Sequence, residues 1–213
     1  MYTFDPTLYF ITDSTGLSEK EFLYKIECAL DGGATLMQLR EKERTTREYI
    51  HLANQAHAVA RRYNIPLIID DRVDVALATG AEGVHVGQTD MPVSIARNLM
   101  GDDHIVGATT KTVAQALEAY EQGADYLGVG AIYPTTTKVK TVLTSTDTLR
   151  DICAAVPIPV NAIGGLNPSN LDVLSGIPIA GICVVSAIMK SDDPRSAASR
   201  LLALSQKLKA NIH

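Results

Sequence analysis

Short runs of β-branched and aliphatic residues alternate along this chain with longer segments whose apolar residues recur at helical spacing. The runs are LYFIT from Leu8, LMQLR from Leu36, PLIID from Pro66, GVHVG from Gly83, IVGAT from Ile105, YLGVG from Tyr126, PVNAI from Pro159 and GICVV from Gly181. Each has the length and bounding residues of a strand buried in a parallel sheet. Between them, segments such as SEKEFLYKIECALDGG and TVAQALEAYEQGAD open on a hydroxyl residue suited to N-capping and close on glycine, which tolerates the left-handed turn of a helix stop. The sequences GATL, GAEG and GADY at Gly33, Gly80 and Gly123 repeat this helix-to-strand junction and report shared turn geometry. About eight βα units result, the number at which a parallel sheet closes on itself. No Ser/Gly-rich linker, low-complexity tract or charge block interrupts the alternation. Residues 1–213 are therefore read as a single α/β domain, a (β/α)₈ or TIM barrel with a parallel eight-stranded core. An open doubly wound sheet is the competing architecture, and the strand number without a second domain disfavours it.

Composition narrows the function classes. With 213 residues, 46% of them hydrophobic, the chain can bury one sizeable core and lies near the lower end for a complete barrel. A formal net charge of −5 argues against a surface that attracts nucleic acid or an anionic membrane, so an anionic substrate must be met by local cations. The cysteines, Cys28, Cys153 and Cys183, are odd in number, lack C-x-x-C spacing and lie in apolar stretches, as reduced core thiols do. The beginning MYTFDPTLYFITD has neither the charged nor the long apolar region of a secretion signal, and no run reaches membrane-spanning length. A cytoplasmic protein is expected, and homo-oligomerisation through outer helices is an expectation by analogy with the fold class.

In such a barrel the chemistry sits at the C-terminal ends of the strands. Alternation along Leu36–Lys42 places Gln38 and Arg40 on the inward face and Met37 and Leu39 against the helices. An inward Arg40 calls for an anion, either a structural carboxylate or a substrate phosphate. Asp70 and Asp71 end the third strand, and Asp90 follows the fourth. Carboxylates on adjacent strand ends can share a hard cation, and Asp71 with Asp90 would suit Mg²⁺ completed by water and a diphosphate; capping of helix N-termini is the structural alternative. Asp74, one turn on, reads as a helix-start residue. The inward Gly128 and Gly130 leave room for a planar ring. The loop Tyr133–Lys138 offers hydroxyls and a lysine to phosphate oxygens, or is simply a solvated Thr-rich loop. Gly164-Gly165 after the seventh strand and Val185-Ser186 after the eighth suit a monophosphate held by backbone N–H groups. His85, within a strand, reads as a hydrogen-bonded core histidine, and His51, His57 and His104 lack metal-ligand spacing.

Together these residues closely resemble the thiamine phosphate synthase family along nearly the whole chain: Q-L-R-E-K at Gln38–Lys42, D-R at Asp71-Arg72, G-V-H-V-G-Q-x-D at Gly83–Asp90, Y-P-T-x-T-K at Tyr133–Lys138, A-I-G-G at Ala162–Gly165 and V-V-S-A-I at Val184–Ile188. The resemblance implies joining of an aminopyrimidine diphosphate to a thiazole phosphate, or its 2-carboxy form, with release of pyrophosphate. It implies that Gln38 orients the pyrimidine while Arg40, Lys42, Asp70, Thr109 and Lys138 surround its diphosphate. Asp71 and Asp90 would hold Mg²⁺. Thr135 and Thr137, with backbone groups of Gly165, Val185 and Ser186, would hold the thiazole and its phosphate. Arg40, Lys42 and Lys138 would stabilise the leaving group, and no covalent enzyme intermediate is required.

Three positions depart from the family pattern. Asp70 stands where Asn is common, Thr109 where Ser is common, and Lys111 where His is common. Thr109 keeps the hydroxyl, whereas Asp70 adds negative charge beside an anion, so it is expected to pair with Arg72 or to reach the metal through water. Rival readings are a thiazole tautomerase-like isomerase, a phosphosugar isomerase or epimerase, and a module that senses thiamine phosphate without turnover.

Overall fold

A computed structural model describes residues 3–134 and 142–210. Eight parallel strands close in sequence order into one barrel: β1 (Leu8–Ile11), β2 (Leu36–Leu39), β3 (Leu67–Asp70), β4 (Gly83–Val86), β5 (Ile105–Thr110), β6 (Tyr126–Gly130), β7 (Val160–Ile163) and β8 (Gly181–Val184). All eight fall on the runs expected to form them.

The outer layer consists of α1 (Glu19–Asp31), α2 (Thr46–Arg62), α3 (Val73–Thr79), α4 (Val93–Met100), α5 (Val113–Glu121), α6 (Thr146–Ala155), the short α7 (Ser186–Met189) and α8 (Pro194–Ala210). Local chemistry sets several of their starts. Ser18 with Glu21, and Thr45 with Glu48, form reciprocal capping boxes, and Thr112 and Ser145 cap α5 and α6 through their hydroxyls. The seventh connection departs from the regular alternation. It carries a single 3₁₀ turn, Leu171–Leu174, in place of an α-helix. Pro168, Gly176 and Pro178 crowd that stretch, and the side chains of Asn167 and Asn170 bond to nearby backbone, which competes with helical pairing.

Strand alternation divides the apolar residues into two cores. Leu8, Phe10, Met37, Leu39, Leu67, Ile69, Val84, Val86, Leu127 and Val129 pack outward in the layer shared with the helices. Tyr9, Ile11, Leu36, Ile68, Ile105, Tyr126 and Cys183 fill the barrel interior. All three cysteines are free thiols. Among the described residues, no helix is long and apolar enough to cross a membrane.

Candidate active site

The inward residues nearest the C-terminal strand ends open into a cavity of about 260 Å³. Gln38, Arg40, Lys42, Asp70, Asp71, Asp90, Thr109, Gly165, Val185 and Ser186 all line it. Thr135, Thr137 and Lys138 lie outside the described residues.

A charge cluster forms one side. Lys42 Nζ stands 2.7 Å from Asp70 Oδ2 and also contacts Asp71, while Arg40 Nε stands 3.8 Å from Asp70 Oδ2. Burial opposes the Lys42 ammonium, but the charges and hydrogen bonds of the two aspartates outweigh it and hold its pKa above the usual lysine value. The pairing of Asp70 differs from expectation. Arg72 turns away and makes a two-pronged contact with Asp74, 2.8 and 2.5 Å, with a further bond to Thr46. Asp74 is in the first turn of α3, as its spacing predicted. With Arg72 held by Asp74 and Thr46, Asp70 is left to Arg40 and Lys42, the two cations of the loop after β2.

Asp71 adopts the left-handed conformation, φ 59°, which Asp tolerates better than most residues. Its amide donates to His85 O at 2.8 Å, fixing the turn against β4. Asp90 accepts from the Gly87 amide at 2.8 Å. Burial, and then the neighbouring Asp71, push the Asp90 carboxyl above the ordinary aspartate range. Two hard oxygen donors at odds electrostatically fit a divalent cation that would relieve their repulsion. The described residues contain no cluster of three or more metal-binding His, Cys, Asp or Glu.

Opposite the charges, Gly128 and Gly130 have different roles. A Cβ on Gly128 would project toward His85 Cε1 at 3.4 Å, so the missing side chain does open the cavity. A Cβ on Gly130 would lie 1.9 Å from Ile163 O, so this glycine permits close approach of β7. Lys111 donates to Gly130 O and Val142 O at 2.9 and 2.8 Å, tying together the two ends of the connection after β6. Across the mouth, Gly164 and Gly165 have φ of 103° and 65°, and side chains there would strike Ala131 and Pro134. This glycine turn lines the same cavity as Val185 and Ser186 at the start of α7, where the Ser186 and Ala187 amides precede the first helical acceptor.

Beneath these groups His85 is hydrogen-bonded on both ring nitrogens, to Tyr126 OH at 3.0 Å and Thr109 Oγ1 at 2.8 Å. It is a bonded histidine, as its mid-strand position suggested, and it also lines the cavity. Sequence reasoning passed over its partner Tyr126 and the second buried tyrosine, Tyr9. An inward-facing tyrosine in a barrel strand is a usable signal, because a buried phenol requires a polar partner.

A family model described as thiamine monophosphate synthase matches residues 8–188. The chain belongs to that family. Thiamine-phosphate synthase 2 of Streptococcus pneumoniae serotype 4 is 50% identical over 186 residues, covering 87% of this chain and 89% of that protein. The thiamine-phosphate synthase of Enterococcus faecalis is 47% identical over 201 residues, covering 94% and 95%. Among solved structures, a thiamine phosphate pyrophosphorylase from Pyrococcus furiosus superposes with a TM-score of 0.85 at 38% identity, covering 95% of this chain and 96% of that one. A 3-hexulose-6-phosphate synthase, at a TM-score of 0.71 and 15% identity, shares the fold alone. Membership of the thiamine monophosphate synthase family accounts for the order of the motifs along the chain.

Proposed function

We propose that this chain is a thiamine-phosphate synthase, a transferase that joins an aminopyrimidine methyl diphosphate to a thiazole phosphate with release of pyrophosphate, and that it requires Mg²⁺. The observation that carries this reading is that one cavity is lined both by the charge cluster of Arg40, Lys42, Asp70, Asp71 and Asp90 and by the Gly164-Gly165 turn with Val185 and Ser186, two arrangements each suited to an anion. A substrate pair with one diphosphate and one monophosphate matches both.

In the reaction the bond from the pyrimidine methylene carbon to the diphosphate oxygen breaks, its electron pair leaving with pyrophosphate, and the thiazole nitrogen forms the new bond to that carbon. Charge grows on the departing oxygen, so Arg40 and Lys42 stabilise the transition state more than the ground state. Lys138, which falls outside the described residues, is assigned the same task from its motif. Asp71 and Asp90 would hold Mg²⁺, which when bound neutralises diphosphate charge. Gln38 and Thr109 fix the pyrimidine and its diphosphate. Backbone amides of Gly165, Val185 and Ser186 take the thiazole phosphate, with Thr135 and Thr137 assigned beside it from the motif.

The test is pyrophosphate release from the two substrates together. EDTA is expected to abolish it and added Mg²⁺ to restore it. Asp71→Ala and Asp90→Ala are expected to lose activity while still binding thiazole phosphate by calorimetry. Full activity in EDTA would remove the metal from the proposal. Absence of pyrophosphate release by the wild type in Mg²⁺ would remove the synthase reading and favour a tautomerase or a passive binder.

A further inference from the structure

At the cavity floor, side chains from five different strands join in a continuous hydrogen-bonded path. Gln38 Nε2 donates to Tyr9 OH at 2.7 Å, Tyr9 OH meets Tyr126 OH at 2.7 Å, Tyr126 OH meets His85 Nδ1 at 3.0 Å, and His85 Nε2 meets Thr109 Oγ1 at 2.8 Å. Tyr9 and Tyr126 are wholly buried, with Gln38 and His85 nearly so. Their positions are rigidly set. The tyrosine rings pack edge to face with centroids 5.6 Å apart, and Tyr126 occupies the space that a side chain at position 107 would take, a Cβ on Gly107 lying 2.1 Å from its ring.

Proton counting gives the path a direction. An amide nitrogen only donates, so the Tyr9 oxygen accepts from Gln38 and passes its single proton to Tyr126. The Tyr126 oxygen then accepts, and its proton goes to His85 Nδ1. A ring nitrogen that accepts carries no hydrogen, so a neutral His85 bears its proton on Nε2 and donates to Thr109. Burial, with the further effect of neighbouring groups, pushes both phenols well above the usual tyrosine range, so each keeps the proton this sequence needs.

We infer that Tyr9, Tyr126 and His85 are positioning residues which, through this one-way chain, hold Gln38 with its carbonyl oxygen toward the cavity as an acceptor for the amino group of a planar heterocycle. With Nε2 turned to Tyr9, the carbonyl is the end of the Gln38 amide left to face the cavity that it lines. At the other end Thr109, accepting from His85, has its own proton to offer to an anionic oxygen. The ligand role rests on the synthase reading above. The direction of the chain does not, and it is measurable without substrate.

Two measurements decide the inference. Imidazole ¹⁵N spectra of the ligand-free protein, assigned with His85→Asn, should show His85 as the neutral Nε2–H tautomer at pH 7. An Nδ1–H tautomer or an imidazolium would reverse or break the chain and overturn the proposal whether or not the enzyme turns over. In kinetics, Tyr126→Phe should raise KM for the pyrimidine diphosphate by about tenfold, the worth of one neutral hydrogen bond, with kcat and the KM for thiazole phosphate little changed. The wild type should prefer the natural substrate over an analogue bearing hydrogen in place of the amino group, and Tyr126→Phe should lose that preference. Tyr9→Phe should behave alike, which guards against a local packing defect in one variant. Retained preference in both phenylalanine variants would show that Gln38 is held by other means. A wild type that releases no pyrophosphate would sink the synthase reading and leave the tautomer result standing on its own.

Discussion

Asp70 is the residue at which this chain sets its own terms. Its carboxylate is nearly buried and is met by Lys42 at 2.7 Å and by Arg40 at 3.8 Å, the two cations proposed to receive the substrate diphosphate. Substrate and Asp70 therefore compete for the same positive charge, and the carboxylate is a fixed negative neighbour of whatever anion binds. Asp70→Asn removes the charge, keeps an oxygen acceptor and adds donors. The variant is expected to bind pyrophosphate about fivefold to tenfold more tightly, read as a lower product-inhibition constant, because a like charge at this range is worth on the order of a few kcal/mol before solvent and metal screening. Turnover should persist, slowed where product release limits it. An inactive but folded Asp70→Asn protein would mean that the carboxylate itself is needed, and unchanged pyrophosphate inhibition would mean that Lys42 and Arg40 do not meet the diphosphate.

Strands in this barrel place function by register, and β5 shows how tightly. Gly107 lies opposite His85 on β4 and Tyr126 on β6, and its missing side chain is filled by the Tyr126 ring. Gly107→Ala is expected to cost about 1–3 kcal/mol in urea unfolding through overpacking, and to weaken pyrimidine diphosphate binding by shifting Tyr126. A stability equal to wild type would show that the ring has room to move. By contrast, Ser18→Ala should cost only about 1 kcal/mol, the worth of a helix cap, and leave both KM values alone. The same register explains what could be read in the sequence. All eight strands were legible because each is a short apolar run bounded by turn residues, and alternation correctly turned Gln38 and Arg40 inward. The partner of Asp70 was not legible, since it depends on the offset between β2 and β3, which neither strand states alone. Tyr9 and Tyr126 were missed because an aromatic residue in an apolar strand reads as core, and only the closed barrel brings their hydroxyls together across 117 residues. The missing helix after β7 was unread because local Asn and Pro chemistry overrode a pattern that held in the other connections.

At the scale of the whole barrel the two ends of the strands carry different burdens, and stability and activity should separate along that axis. Glu82, immediately before β4, lies at the end away from the cavity. One of its oxygens accepts from the Leu67 amide at 2.8 Å and the other meets His57 Nε2 at 3.0 Å, joining β3, β4 and α2. Burial opposes the Glu82 carboxylate, but the bonds from His57 and Leu67 outweigh it, and its pKa falls below the ordinary glutamate value. A carboxyl depressed in the folded state adds stability above its unfolded pKa and loses that contribution as pH falls through the folded value. Glu82→Gln is therefore expected to lower stability by about 1–2 kcal/mol at neutral pH, the scale of a hydrogen bond to a charged group in a partly exposed site. The difference from wild type should begin to shrink near about pH 4, where an unfolded glutamate takes up its proton, and vanish only below the lower folded value, where protonated Glu82 resembles glutamine. Because Glu82 touches nothing at the mouth, kcat and both KM values should be unchanged at temperatures where the variant is folded. Asp90→Asn at the opposite end should do the reverse. Neutralising Asp90 removes its repulsion with Asp71, so the melting temperature should not fall, while pyrophosphate release should drop by about 10²-fold or more if the carboxylate supports leaving-group charge through the metal. Plotting melting temperature against activity for the two variants tests the division directly. A Glu82→Gln enzyme that is stable but slow, or an Asp90→Asn enzyme that is active but unstable, would show that the two ends of this barrel are energetically coupled and would remove the basis for assigning roles by strand end.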